Sequence, residues 1–334
     1  MTEQRGAWIA ESELAALDAQ IKANWSRCQT LDFEGVDGVA IHAVCAPAVD
    51  AAANGAAILL LPGRTEPLVK YRDLAFELNR RGHALYLIDH RGQGQSGRLL
   101  ADPERGHVVD FEHYVDDVER FLDARVLADE PDKLVLFGHS MGGCIAARLL
   151  QRRSDTFSAA VLFSPMLEIA TGLVPGWVAS AVTTALSKMP FGLGDPEAYV
   201  PGGHGFEPTP FKLDGELNPL TNSETRLERC MRDYVDIPET RLGSPTRHWF
   251  DQAMDACAAA IRDAAMITCP TLLFSAGDDP IVEYGGQRAL CAGSDAVEGP
   301  RVVAQARHEL LMERDDIRAT VLDEAFAFVE RVAN

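Results

Sequence analysis

A serine flanked by glycines, Gly138-His-Ser140-Met-Gly142, follows the apolar run Leu134-Val-Leu-Phe137 and precedes a stretch suited to a helix. That order reads as strand, sharp corner, helix. Small neighbours let the backbone turn tightly enough to lift a hydroxyl above a sheet, and the helix aims its first N–H groups at any oxyanion formed there. Such a hydroxyl can attack an acyl carbon if a base takes its proton and an acid orients the base. Of the nine histidines, only His204, His248 and His308 follow the serine. His308, in Gln305-Ala-Arg-His-Glu309, comes after an apolar stretch where a loop enters a helix, and is the expected base. Asp278 and Asp279 stand at the end of another predicted strand, the place where open α/β sheets gather their ligand-binding groups. Asp279, directly before Pro280-Ile-Val282, is the expected acid, and Asp278 is expected to cap or face solvent. An oxyanion also needs two aimed N–H donors. Met141 would supply one, and Arg64, in Leu61-Pro-Gly-Arg-Thr-Glu66, the other, with Gly63 letting the backbone approach. The Arg64 side chain is expected in solvent or in an ion pair with Glu66, ahead of a contact with substrate.

Short solid apolar runs at 57–61, 84–88, 134–137, 159–163, 271–275 and 301–304 alternate with helical segments such as 71–80 and 111–127. This is the pattern of a mostly parallel central sheet flanked by helices. Residues 1–28 form an expected N-terminal helical segment, since Ile9, Leu14, Leu17, Ile21 and Trp25 recur at helical spacing. Around Val36-Asp-Gly38 two alternating stretches suit a hairpin. The strand–helix rhythm stops after Ser164-Pro165 and resumes near Asp251. The expected organisation is therefore an α/β core of residues 29–165 and 252–334 with an inserted cap, residues 166–251. Within it, residues 173–189 place Trp177, Val178, Ala181, Val182, Ala185 and Leu186 on one helical stripe. Packing against the body is the plainer reading of that stripe; an acyl-chain wall or membrane-contacting edge is the sharper one. The Gly- and Pro-rich residues 191–221 should be irregular.

With 334 residues, 47% hydrophobic and 24% charged, the chain suits a large soluble domain. A net charge of −19 argues against nucleic acid as a partner and against electrostatic docking on an anionic bilayer. No apolar run reaches the length of a spanning helix, and Met1-Thr-Glu-Gln-Arg-Gly6 lacks a secretory pattern, so a cytoplasmic location is expected, with peripheral contact at the inner membrane through the cap as its variant. Seven scattered cysteines without C-x-x-C spacing fit reduced thiols. Neither a metal nor a cofactor is expected, because histidines and cysteines fall at no ligand spacing and Asp89-His-Arg-Gly-Gln-Gly-Gln-Ser-Gly97 matches no phosphate-cradling order. Asp89 and Arg91 are expected in structural contacts of a turn.

Together, Pro62-Gly-Arg-Thr-Glu66, Asp89 to Gly97, Gly138-His-Ser-Met-Gly-Gly143, Gly277-Asp-Asp-Pro-Ile-Val282 and Ala306-Arg-His-Glu309 resemble the bacterial lysophospholipase branch of the serine α/β-hydrolases, beside the monoacylglycerol lipases. The resemblance runs from about residue 29 to the C-terminus, including Ser244-Pro-Thr-Arg-His-Trp249. It implies the α/β-hydrolase fold, a Ser140, Asp279 and His308 triad, and oxyanion donors at Arg64 and Met141. It also implies release of a fatty acid from a single-chain lipid ester, with that small lipid as the partner. Where many monoacylglycerol lipases have His-Gly, this chain has Pro62-Gly63. The family also includes peptidases, so a general carboxylesterase or a serine peptidase is the alternative within enzymes. A noncatalytic binding protein on the same scaffold is the alternative from another class.

Overall fold

Apolar residues in unbroken runs pair into a central sheet because their strands are covered on both faces. The structure, a computed structural model, describes residues 7–49, 55–170, 195–213 and 216–333. The chain opens with α1 (Glu11–Trp25) and then β1 (Gln29–Thr30), β2 (Phe33–Glu34), β3 (Ala40–Ile41) and β4 (Ala43–Ala46). It continues through β5 (Ala57–Leu61), α2 (Arg72–Arg80), β6 (Leu85–Ile88), α3 (Glu112–Phe121), β7 (Leu134–His139), α4 (Met141–Arg153) and β8 (Ala159–Phe163). After a long excursion containing β9 (Lys212–Leu213), β10 (Glu216–Leu217), α5 (Glu224–Asp236) and α6 (Arg247–Arg262), β11 (Thr271–Ala276) re-enters the sheet. Then come α7 (Tyr284–Gly293), β12 (Val297–Val303) and α8 (Asp315–Val332).

Eight strands join in the order β1-β4-β6-β5-β7-β8-β11-β12, with β4 antiparallel to both neighbours and every pair from β6 onward parallel. This is an α/β-hydrolase sheet. The two-residue period of a strand sends its side chains to opposite layers. Ile58 and Leu60 of β5 meet Leu74, Leu78 and Phe326 from α2 and α8 on one face. Leu59 and Leu61 meet α3, α4 and α6 on the other, through Val118, Ile145 and Ala253. The expected hairpin forms in two steps, β2 against β3 and β1 against β4, with Asp37 and Gly38 both at positive φ in the turn.

The N-terminal helix is fastened to this body. Leu14 and Ile21 of α1 bury against Phe76 of α2, and Trp8 donates from Nε1 to Asp323 at 2.8 Å. The excursion between β8 and β11 is tied down too: Arg229 of α5 pairs with Asp73 and Asp18, and Arg72 pairs with Asp233. The boundary expected at residue 251 falls inside α6, a single helix that Thr246 caps by accepting the Trp249 N–H. Its first turn carries Trp249 towards the candidate site while Ala253, Ala256 and Ala260 pack into the core. One continuous helix thus serves both regions. The apolar stripe expected over 173–189 lies outside the described residues. The described part of 191–221 is turn and coil apart from the β9–β10 hairpin.

Candidate active site

Strand β7 ends at His139, and Ser140 takes φ +51° and ψ −117° before α4 begins at Met141. A non-glycine residue in that region costs about 1 to 3 kcal/mol unless its surroundings hold it. Here they do: the Ser140 N–H donates to Phe163 at 3.1 Å, and the Ser140 carbonyl accepts from Met166 at 2.8 Å. The glycines of the elbow are required by close approach. A Cβ on Gly142 would lie 2.0 Å from the Leu61 carbonyl oxygen, and one on Gly138 would lie 2.8 Å from that of Gly142. The serine corner is therefore pressed against the end of β5, where the loop carrying Gly63 and Arg64 starts.

His308, on the loop after β12, reaches back across the sheet. Its Nε2 lies 2.8 Å from Ser140 Oγ and its Nδ1 lies 2.8 Å from Asp279 Oδ2. The other Asp279 oxygen accepts the N–H groups of Ile281 at 2.9 Å and Val282 at 3.2 Å. Burial alone would raise the Asp279 pKa, but its hydrogen bond to His308, that ring's charge and the two backbone donors hold it below the usual carboxylate value. Asp278 has an exposed side chain, and its N–H donates to Ala306 at 2.9 Å, which pins the acid loop to the histidine loop. The loop carrying Arg64 is braced by Gln93, whose Nε2 donates to the Gly63 carbonyl at 2.9 Å. The glycine-rich stretch from Asp89 is a structural turn: Asp89 accepts from Leu68 and Gln95, and Arg91 pairs with Asp117 through Nε at 2.6 Å and Nη2 at 2.8 Å.

Beside the serine lies a buried charged cluster that the sequence pattern does not reveal. Glu66 Oε1 sits 2.8 Å from His139 Nδ1 and 3.1 Å from Lys70 Nζ. Lys70 also donates to both Glu309 oxygens, at 2.7 and 2.6 Å. Glu66 Oε2 accepts the Gly63 N–H at 2.8 Å and the Tyr71 hydroxyl. His139 Nε2 lies 3.2 Å from the His308 carbonyl oxygen. Burial opposes charge on every member. For His139 the carboxylates of Glu66 and Glu309 prevail and its pKa is pushed up to about 9. For Glu66, the charges of His139 and Lys70 hold the carboxyl well below its usual value. Glu309 is raised, because burial and the Glu66 charge outweigh Lys70 and His139. Glu66, His139 and Glu309 bring donor atoms within 4.8 Å of one another, a spacing that would suit a metal cation. The Lys70 ammonium, bonded to both carboxylates, supplies the cation instead. The signal was present in the sequence as polar residues adjoining Ser140 and His308, but the partnership joins segments far apart in the chain.

In front of the serine a cavity of about 480 Å³ opens, lined by Ser140 and His308 together with Met166, Ile169, Phe206, Leu242, Trp249 and Ile281. Arg64 lines it as well. Its guanidinium is half-buried, with Cζ 5.2 Å from the Trp249 ring centroid and Nη2 bonded to the Gly243 carbonyl. The ion pair considered for Arg64 does not form, because Glu66 faces the other way, into the cluster with Lys70 and His139.

A mostly parallel sheet with a serine elbow after its fifth strand from one edge, and an acid and a histidine on later loops, defines an α/β-hydrolase. The chain belongs to the family described as serine aminopeptidase, S33, which it matches over residues 52–315. It is 34% identical to lysophospholipase L2 of Escherichia coli strain K12 over 313 residues, 92% of this chain and 89% of that one. It is 32% identical to a monoacylglycerol lipase of Mycolicibacterium smegmatis, over 48% of this chain and 54% of the relative. Among solved structures, a soluble variant of monoglyceride lipase from Saccharomyces cerevisiae superposes with a TM-score of 0.69 at 18% identity, covering 92% of this chain and 95% of that one. A thermostable carboxyl esterase from Bacillus coagulans gives 0.68 at 17% identity, covering 92% and 99%. Fold and relatives together make the protein a carboxylic-ester hydrolase. No helix among the described residues is long and apolar enough to cross a membrane.

Proposed function

We propose that the protein releases a fatty acid from single-chain lipid esters, of the lysophospholipid and monoacylglycerol kind, through an acyl-enzyme on Ser140. The observation that carries this reading is the unbroken hydrogen-bonded order Asp279, His308, Ser140 opening into a cavity whose walls are largely apolar. His308 takes the Ser140 proton as Oγ attacks the ester carbonyl. The tetrahedral oxyanion is held by the backbone N–H groups of Arg64 and Met141, each worth about 3 kcal/mol by analogy with single-donor deletions. His308 then gives its proton to the leaving glyceryl oxygen. Water, deprotonated by the same imidazole, attacks the acyl-enzyme, and the fatty acid leaves with Ser140 restored. Asp279, accepting from Nδ1, keeps Nε2 facing the serine and stabilises the imidazolium formed at each step.

Residues 166–251 act in this reading as a cap that closes the acyl cavity, with a membrane surface as the source of substrate. A peptidase reading draws on the family's description, but an aminopeptidase needs a free carboxylate to hold the substrate amine. Of the carboxylates that line the cavity, Glu66 and Glu309 are bonded to Lys70 and His139, and Glu207 stands exposed 3.8 Å from His204. The test is fatty-acid release from lysophosphatidylcholine, lysophosphatidylethanolamine, monoacylglycerol and p-nitrophenyl esters, with Ser140→Ala as control and an aminoacyl amide alongside. Preference for long single-chain lipids is expected; turnover confined to short esters or to the amide would overturn the substrate class.

A further inference from the structure

Arg64 brings into the cavity a charge that no described residue neutralises. Nη2 donates to Gly243 and lies so close to Gly106 that a Cβ there would come within 2.5 Å of it, while the guanidinium stacks over Trp249. The side chain is thereby held in one orientation. Among the described residues it makes no ion pair, and its Nε is buried without a hydrogen-bond partner. The Tyr114 hydroxyl, near enough to act on it electrostatically, accepts the Trp249 Nε1–H at 3.1 Å. Burial lowers its pKa to about 10, which leaves it charged at neutral pH. The carboxylates nearest in the cavity lining, Glu66 and Glu309, are already bonded to Lys70 and His139, and Glu207 stands exposed beside His204, 3.8 Å away. An uncompensated cation with restricted access to water is unfavourable, and such groups concentrate where a ligand supplies the counter-charge.

We propose that the Arg64 guanidinium is the subsite for the phosphodiester of a lysophospholipid headgroup, which lets one triad distinguish a phosphate-bearing lipid from a neutral glyceride. The inference rests on the lipid-ester reading above. In a 1-acyl glycerophospholipid only the three-carbon glycerol separates the scissile ester from the phosphate. Arg64 would serve both ends of that span: its backbone N–H is the oxyanion donor in the reading above, and Arg64 lines the same cavity as Ser140. With Nη2 taken by Gly243 and Nε buried against Gly106, Nη1 is the nitrogen left to donate to a phosphate oxygen, and the guanidinium charge stands fixed beside it.

The test compares kcat/KM for 1-palmitoyl lysophosphatidylcholine with that for 1-palmitoylglycerol in wild type, Arg64→Gln and Arg64→Lys. In Arg64→Gln the ratio of the two is expected to fall at least tenfold, carried by KM on the phospholipid, with Arg64→Lys intermediate. Equal losses on both substrates would overturn the proposal, because a strut between Gly243 and Trp249 serves both lipids alike. If the glutamine variant does not fold, inhibition of wild-type p-nitrophenyl butyrate hydrolysis decides. Competitive inhibition by glycerophosphocholine well below the concentration at which glycerol acts supports the proposal, and inhibition no stronger than by glycerol overturns it. Inorganic phosphate inhibiting as well as glycerophosphocholine would reassign the site to free phosphate and overturn the headgroup assignment. Wild type that cleaves the glyceride but no lysophosphatidylcholine would overturn the lysophospholipid reading itself, an outcome distinct from equal losses in the variant.

Discussion

Arg64 and the charged cluster of Glu66 and Lys70 come from the same ten residues, 61–70, and border the same cavity, yet they treat charge in opposite ways. In the cluster, Glu66 and Lys70 join His139 and Glu309 so that each charge meets its counterpart at about hydrogen-bond distance. In the cavity, Arg64 meets a carbonyl and an aromatic face and, among the described residues, no carboxylate. The difference follows from what each place must do. The cluster ties the Gly63 loop, the residue before Ser140 and the residue after His308 into one rigid support, and a buried network holds shape only when every member is satisfied. The cavity must receive a ligand, so a group there is useful to the extent that the fold leaves it unpaired.

The comparison breaks first at the serine. Ser140→Ala is expected to lower lipid-ester turnover by about 10⁶-fold, the scale seen when a triad nucleophile is removed, with the melting temperature retained because the cluster is untouched. Stopped fatty-acid release together with lost fluorophosphonate labelling checks it; residual labelling would place the nucleophile elsewhere. Asp279→Asn should cost about 10⁴-fold in kcat, since the amide offers a donor where His308 needs an acceptor. Its steady-state kinetics on a p-nitrophenyl ester measure this.

On the cluster side the expected loss is in stability. Lys70→Met leaves His139 as the one cluster cation facing the two carboxylates of Glu66 and Glu309, at a cost of about 3 to 5 kcal/mol by the scale for breaking a buried pair. Adding Glu309→Gln should return part of that, because only one carboxylate is then left to neutralise. Urea unfolding of the single and double variants tests the pairing, and additive losses would mean the three groups are not coupled.

The smallest effect is the pH slope. His139, raised from 6.5 to about 9 in the fold, contributes stability that is full below pH 6.5 and lost as the pH rises through 9. Glu66, held below 4.5, contributes stability that is full above 4.5 and lost as the pH falls. The melting temperature of the wild type should therefore decline between pH 6.5 and 9.5, and His139→Gln should flatten that decline. An unchanged slope in the variant would show that His139 carries no proton of consequence.

Local chemistry was legible in the sequence wherever the signal is itself local. The glycines around Ser140, the solid apolar runs of β5, β7 and β8, and the Asp37-Gly38 turn each follow from backbone sterics or burial within a few residues. Ser140, His308 and the two adjacent aspartates could be singled out on that basis, because strand ends carry ligand-binding groups in this kind of sheet. Which aspartate meets the ring depended on the turn into Pro280, which leaves Asp278 exposed and sends Asp279 inward.

Other features needed the tertiary structure. Residue 251 looked like a boundary because the apolar rhythm resumes there, whereas α6 starts at a Thr246 cap whose value depends on packing Trp249 at the cavity. Glu66, two residues from Arg64, suits an ion pair with it by sequence; in the fold the loop turns between them, with Thr65 at φ +65°, and Glu66 pairs with Lys70 and His139 while Arg64 bonds Gly243. The sequence by itself determined the kinds of element and the groups available at strand ends, since those depend on short-range sterics and periodicity. Closure of the charged cluster was decided by tertiary structure, because Lys70 and Glu309 lie 239 residues apart and meet only when the sheet brings their loops to one edge.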